Sequence, residues 1–161
     1  VFAVLYTDDF IRRTVEDYAD MITRIAFQNV KNHCDAEDIM QEVFVRLMRG
    51  PEFKDESHKK AWLIRVTLNL CKNWNSTYWN RNTVPLEAVL REAEAADARE
   101  SVPEELWELP PSYRSTLYLY YYEGYSVPEI AQIFGRSKNT ISSWLTRARR
   151  QLKTLILEGQ A

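Results

Sequence analysis

A chain of 161 residues that is 45% hydrophobic with only four glycines has room for one ordinary domain or two small ones, and predicts a folded, largely helical protein. No apolar run approaches the ~20 residues that span a bilayer and no signal-peptide pattern opens the sequence, so this chain is expected to make no membrane contact. The near-neutral total of 21 basic and 23 acidic side chains conceals zoning: nine basic against twelve acidic in residues 1–60, three against none in 61–82, two against eight in 83–108, and seven against three in 109–161.

Residues 8–32 read as a helix, with Val15, Tyr18, Ile22, Ile25, Ala26 and Asn29 on one face. Asp35 is expected to cap a second helix, DAEDIMQEVFVRLMR. Its early acids Asp35, Glu37 and Asp38 and its late cations Arg46 and Arg49 complement the helix dipole. Ile39, Val43, Phe44 and Leu47 form the inward stripe, while Asp38, Gln41 and Glu42 project from the other side. Gly50-Pro51 stops this helix, and GPEFKDESHKK reads as a polar loop. A third helix then runs from about Lys60 through Trp74 or beyond, burying Leu63, Val66, Leu70 and Trp74.

The acid-free stretch 61–82 interleaves Trp62, Trp74, Tyr78 and Trp79 with Arg65, Asn69, Lys72, Asn73, Asn75 and Arg81. Such a mixture can stack on unpaired bases and hydrogen-bond their edges. Trp62 and Trp74 are assigned to the core; Tyr78 and Trp79 stay open between packing and stacking. Residues 81–105 are acidic, alanine-rich and lack a wide apolar face, which reads as a flexible linker. Pro110-Pro111 opens the next helix and Gly124 closes it. Tyr113, Leu117, Tyr120 and Tyr121 recur there at helical spacing, as packing residues.

The stretch YSVPEIAQIFGRSKNTISSWLTRARRQLK, 125–153, holds two helical patterns broken at one glycine. Ser126 and Glu129 make a capping box, and Pro128 sits in the first turn, where its missing N–H costs nothing. Ile130, Ala131, Ile133 and Phe134 give a narrow apolar face. Gly135 stands where a left-handed, helix-ending residue is wanted. Ser137 caps a second helix whose stripe is Ile141, Leu145, Ala148 and Leu152. Its other face carries Lys138, Asn139, Ser142, Ser143, Thr146, Arg147 and Arg150. Two short helices joined by a glycine turn make a helix-turn-helix, whose second helix can enter the DNA major groove. Arg suits guanine, Asn suits adenine, and Ser or Thr serves either base. Arg149, Arg150 and Lys153 suit phosphates. Trp144, beside the stripe, is expected to pack rather than to touch bases.

Taken in order, these strings resemble the extracytoplasmic-function (ECF) sigma factors of bacterial RNA polymerase. DAEDIMQEVFVRLMR is similar to the family's region 2.2, KAWLIRVTLNLCKNW to the helix that melts and reads the minus-ten element, and LPPSYRSTLYLYYYEGYSVPEIAQIFGRSKNTISSWLTRARRQL to region 4, which reads the minus-thirty-five element. The resemblance implies an all-α fold of two small helical domains. Residues 1–82 would be a region 2 bundle and 106–161 a region 4 helix-turn-helix bundle, joined by the acidic linker 83–105. It further implies docking of Asp38, Gln41 and Glu42 on the clamp coiled coil of the polymerase β′ subunit, a contact with the β subunit, promoter DNA as ligand, and an anti-sigma protein as inhibitor. Asn69 and Asn73 fall where some relatives place amides against the minus-ten element, with Lys72 beside them. The loop from Pro51 to Lys59 corresponds to the one that captures a flipped-out base. Ser142, Ser143, Thr146 and Arg147 match base- or backbone-contacting positions.

The resulting expectation is an alternative sigma factor that binds core polymerase and directs promoter-specific initiation in the cytoplasm. The rival from another class is a stand-alone helix-turn-helix regulator that binds DNA without polymerase. An enzyme is the third class. His33 and His58 have no constellation for metal binding or nucleophilic chemistry, the isolated Cys34 and Cys71 fit a reducing compartment, and no glycine-rich phosphate loop is present, so neither cofactor nor metal is expected.

Overall fold

The computed structural model describes residues 6–78 and 104–159, and the elements among them are helical. The chain divides into two compact units, Val1–Glu94 and Ala95–Ala161.

In the first unit α1 spans Asp8–Val30, α2 His33–Met48 and α3 Glu56–Tyr78. Thr7 caps α1 by accepting the Phe10 N–H at 3.2 Å, and Lys31 ends it in the left-handed region at φ 56°. The three helices meet over Ile22, Ile25, Ala26, Ile39, Val43, Leu47, Leu63 and Ile64, each no more than 1% exposed. Apolar side chains at helical spacing on three elements leave water together, at roughly 25 cal/mol per Å² of apolar surface. The stripe expected for α2 is buried at all four positions, Phe44 included. On α1 the expected face holds at Ile22, Ile25 and Ala26, while Val15, Tyr18 and Asn29 sit half-buried at its margin.

The cap of α2 is Asn32, not Asp35: the Asn32 side-chain oxygen accepts the Asp35 N–H at 3.0 Å, placing Asp35 inside the first turn. The third helix starts at Glu56 rather than near Lys60, because Asp55 caps it, accepting the His58 N–H at 2.8 Å on its side chain and the Lys59 N–H at 3.2 Å on its carbonyl. A cap outweighs the polar character of DESHKK, and the loop shrinks accordingly. Finally, α3 buries Ile64, Thr67 and Cys71 beside Leu63 and Leu70, whereas Trp62, Val66 and Trp74 are half-buried at the edge of its inward face.

In the second unit α4 spans Glu104–Trp107, α5 Pro111–Leu117, a wide π-helical turn Tyr118–Tyr122, α6 Val127–Phe134 and α7 Lys138–Gly159. Its core joins Leu109, Leu117, Leu145 and Ala148, ringed by Leu106, Tyr113, Tyr120, Val127, Leu152 and Leu155. Arg114 is buried there. Its Nη1 donates to the Trp107 carbonyl at 2.9 Å, its guanidinium lies 5.4 Å from the Trp107 ring centre, and burial pulls its pKa down to about 10. Tyr121 departs from the packing role expected for it and is 61% exposed. The Glu123 N–H reaches back five residues to the Tyr118 carbonyl, so the widened turn shifts the phase of every side chain around it. The side chains of Asn75 and Tyr78, and residues 79–103 with Trp79, Arg81 and most of the expected linker, lie outside the described residues.

Candidate nucleic-acid interface and docking face

The α6–α7 pair is built as the sequence dictates. Ser126 Oγ accepts the Glu129 N–H at 3.3 Å, and Glu129 Oε1 accepts the Ser126 N–H at 3.1 Å, closing a reciprocal cap. Gly135 ends α6 at φ 64°, with the Arg136 N–H returning to the Ala131 carbonyl at 2.9 Å. Ser137 Oγ then accepts the Thr140 N–H at 3.2 Å and starts α7. Ile141, Leu145 and Ala148 point inward, and Leu152 is half-buried.

That anchoring turns Lys138, Asn139, Ser142, Ser143, Thr146, Arg147 and Arg150 outward, all exposed and all on one side of the inward stripe. Thr146 spends its hydroxyl proton on the Ser142 carbonyl at 3.0 Å and keeps its oxygen as an acceptor. Trp144 is half-buried, edge-on to Phe134 at 5.3 Å, and packs as expected. Arg149, expected to suit phosphates, is exposed and has a further engagement. Its Nε donates to the Tyr121 hydroxyl at 2.6 Å, and its guanidinium lies 5.4 Å from the ring centres of both Tyr120 and Tyr121. This arginine ties α7 to the π-turn, an engagement invisible in helical spacing alone.

In the first unit α2 presents Asp38, Gln41 and Glu42 to solvent, opposite the buried Ile39, Val43 and Leu47. Glu42 pairs with Arg46 at 3.3 Å, an exposed contact of small energetic weight. Val45 and Met48 stand on the same outward side, 46% and 47% exposed. Sequence reading passed over them, although their spacing from Gln41 by four and seven positions was the available signal. The outward side of α2 is therefore a ridge that combines acids, an amide and wet apolar side chains.

On α3, Arg65, Asn69, Lys72 and Asn73 are exposed, and Asn69 and Asn73 lie one turn apart. The α2–α3 loop is held by side chains from several directions. His58 Nδ1 accepts the Lys54 N–H at 3.1 Å, and Phe53 meets the His58 and Trp62 rings edge-on at 5.4 and 5.5 Å. Beneath it Lys59 is only 6% exposed. Its ammonium donates to Glu56 at 2.9 Å and lies 4.9 and 5.5 Å from the Phe10 and Tyr18 ring centres. The Lys59 hydrogen bond, with a second from the Tyr18 hydroxyl at 2.9 Å, holds the Glu56 carboxyl below its ordinary range.

Among the described residues no cluster of His, Cys, Asp and Glu could hold a metal ion, and no helix is long and apolar enough to cross a membrane. Burial pushes the Cys71 thiol up to about 12, far from the reactive range.

Residues 14–81 match the family description Sigma-70 region 2, and residues 99–152 match Sigma-70, region 4. The chain is 29% identical over 153 residues to ECF RNA polymerase sigma factor SigE of Mycolicibacterium smegmatis, covering 86% of this chain and 58% of that relative's length. It is 29% identical to SigM of Bacillus subtilis, over 88% of this chain and 92% of that one, and 27% identical to SigL of Mycobacterium tuberculosis, over 92% and 89%. Among solved structures, CnrH in complex with the cytosolic domain of CnrY shares the fold at a TM-score of 0.67 and 23% identity, covering 96% of this chain and 92% of that one. Sigma factor RpoE, in complex with the anti-sigma factor NepR from Bartonella quintana, aligns at the same TM-score of 0.67 with 22% identity, covering 93% and 98%.

Proposed function

Since this chain belongs to the extracytoplasmic-function group of sigma-70 factors, we propose that it binds core RNA polymerase and directs initiation at a particular class of promoters, contributing no catalytic step itself. The α2 ridge is the docking face: Asp38, Gln41 and Glu42 meet a basic partner helix, and Val45 and Met48 supply apolar contact at its centre. The exposed face of α7 reads the upstream element, with Arg147 and Asn139 suited to base edges and Lys138 and Arg150 to phosphates. On α3, Asn69, Lys72 and Asn73 receive the opened strand. An anti-sigma partner that covers these faces would hold the chain inactive inside the cell.

The observation that carries this reading is the α2 ridge. A regulator working alone on DNA has no task for an acidic, half-apolar helix face turned to solvent. Joint charge reversal, Asp38→Lys with Glu42→Lys, replaces exposed side chains and leaves the core untouched. It is expected to lower capture of core polymerase about tenfold or more and to abolish run-off transcription, with unchanged helical content. Normal capture of core by the doubly reversed chain would refute the docking assignment. A gel shift showing tight, promoter-selective binding by the chain alone would favour the stand-alone regulator instead.

A further inference from the structure

Tyr6 immediately precedes the Thr7 cap of α1 and reaches across the first unit to the α2–α3 loop. Its hydroxyl donates to the Pro51 carbonyl, 45 residues away in sequence. Its ring lies nearly parallel to Phe10, with centres 4.3 Å apart at 15°, and nearly parallel to Phe53, at 6.0 Å and 9°. Burial and the nearby Glu52 raise the phenol's pKa from its ordinary value.

The segment fixed in this way is otherwise held by the Lys54–His58 hydrogen bond and the edge contacts of Phe53 with His58 and Trp62. It starts at Gly50, where a Cβ would come within 3.1 Å of the Leu47 carbonyl oxygen, and it ends at the Asp55 cap of α3. Between them it makes no regular structure, so side chains set its shape. Phe53 is the hub. From Tyr6 the aromatic contacts continue through Phe53 to Trp62 on α3. Asn69 follows Trp62 by seven residues and Asn73 by eleven, close to two and three helical turns, so all three share a side of α3. A line of ring contacts thus runs from the start of α1 to Trp62, on the side of α3 that carries Asn69 and Asn73.

We propose that Tyr6 is a positioning residue for strand opening: its hydroxyl and ring hold the 50–55 loop in the shape that receives an unpaired base. This rests on the sigma-factor reading above and extends it to a residue outside both the α3 face and the loop itself. Phe53 needs a fixed ring plane to offer a flipped base, and a loop without ladder hydrogen bonds does not supply one. Beside the edge contacts of His58 and Trp62, Tyr6 contributes one hydrogen bond to the loop backbone and a near-parallel ring against Phe53.

The test compares the full chain with its Tyr6→Phe and Tyr6→Ala variants, each reconstituted with core polymerase on a promoter fragment that the unaltered holoenzyme transcribes. Each is assayed on that fragment fully paired and on the same fragment with a preformed mismatch bubble over the opening. Run-off from paired relative to bubble template is the readout, because a chain that merely folds or docks less well loses both signals equally. Tyr6→Ala is expected to lower this ratio about tenfold, and Tyr6→Phe, which keeps the ring, about threefold to fivefold. A fall in Tyr6→Ala alone supports positioning and assigns it to the ring. An unaltered ratio in both variants, whether both remain active or both weaken on each template alike, overturns the proposal. If the unaltered chain initiates on no template, the sigma-factor reading fails, and that result is distinct from either variant outcome.

Discussion

The ammonium of Lys59 is nearly out of water, yet its carboxylate partner Glu56 keeps 68% of its side-chain surface exposed. That asymmetry decides what substitution does. Removing Lys59 strands no buried charge, so Lys59→Met, which keeps an unbranched apolar chain at this buried position, is expected to change stability by no more than about 1 kcal/mol in chemical denaturation. Lys59→Ala leaves a cavity and is expected to cost about 2–3 kcal/mol. Glu56 has a folded-state pKa below its ordinary 4.5, so its contribution is complete above that value and disappears as pH falls through the folded pKa. Glu56→Gln should therefore flatten the acid limb of the stability profile and leave the neutral region nearly flat. Neither the burial of Lys59 nor its aromatic neighbours could be read from the sequence, since lysines are rarely buried and a polar string reads as loop by default. Asn69, Asn73 and the exposed set on α7 were legible because polar side chains at helical spacing opposite an apolar stripe have one place to go.

Helix α6 was legible end to end, and its punctuation explains why. The Ser126–Glu129 box and the Gly135 stop are local devices, and local devices survive folding unchanged. Gly135→Ala isolates the backbone part: φ is 64°, and an added Cβ would meet nothing within 4 Å, so the cost is the left-handed conformation alone. It should lower the stability of the α5–α7 unit by about 1–2 kcal/mol, read as a drop in its melting temperature, while the α1–α3 unit melts as before. The turn at Tyr118–Tyr122 shows the opposite case. Four tyrosines and a leucine would read the same in an α-helix or a π-turn. Besides the local Tyr118–Tyr122 stack at 4.9 Å and the Tyr118 hydroxyl bond to Glu123 at 2.8 Å, the wider turn is held from outside, by the bond between Arg149 and Tyr121. The start of α3 was misread for a related reason, the aspartate cap being hidden inside a run of charged residues.

Each of the two units closes its own core, one over Ile22, Ile39, Leu47 and Leu63 and the other over Leu117, Leu145 and Ala148. Calorimetry should accordingly resolve two transitions. Leu145→Ala, which empties a site 3% exposed, is expected to lower one of them by about 2–4 kcal/mol and leave the other in place. A single transition shifted as a whole would show that the two cores unfold as one. The acidic, alanine-rich stretch 81–105, without a wide apolar face, made this two-part organisation legible before any packing was known. Which bases α7 would read was not, because Ser142, Ser143 and Thr146 accept more than one pairing.

The ridge on α2 is one helix wide, and Val45 and Met48 are only half shielded from water on it. A strip that narrow accommodates a single cover at a time. On the docking role proposed for it, whichever protein covers it first would exclude every other, and the number of working copies would follow relative abundance and residence time. Control of that kind needs no chemical change in the chain itself, only a change in the headcount around it.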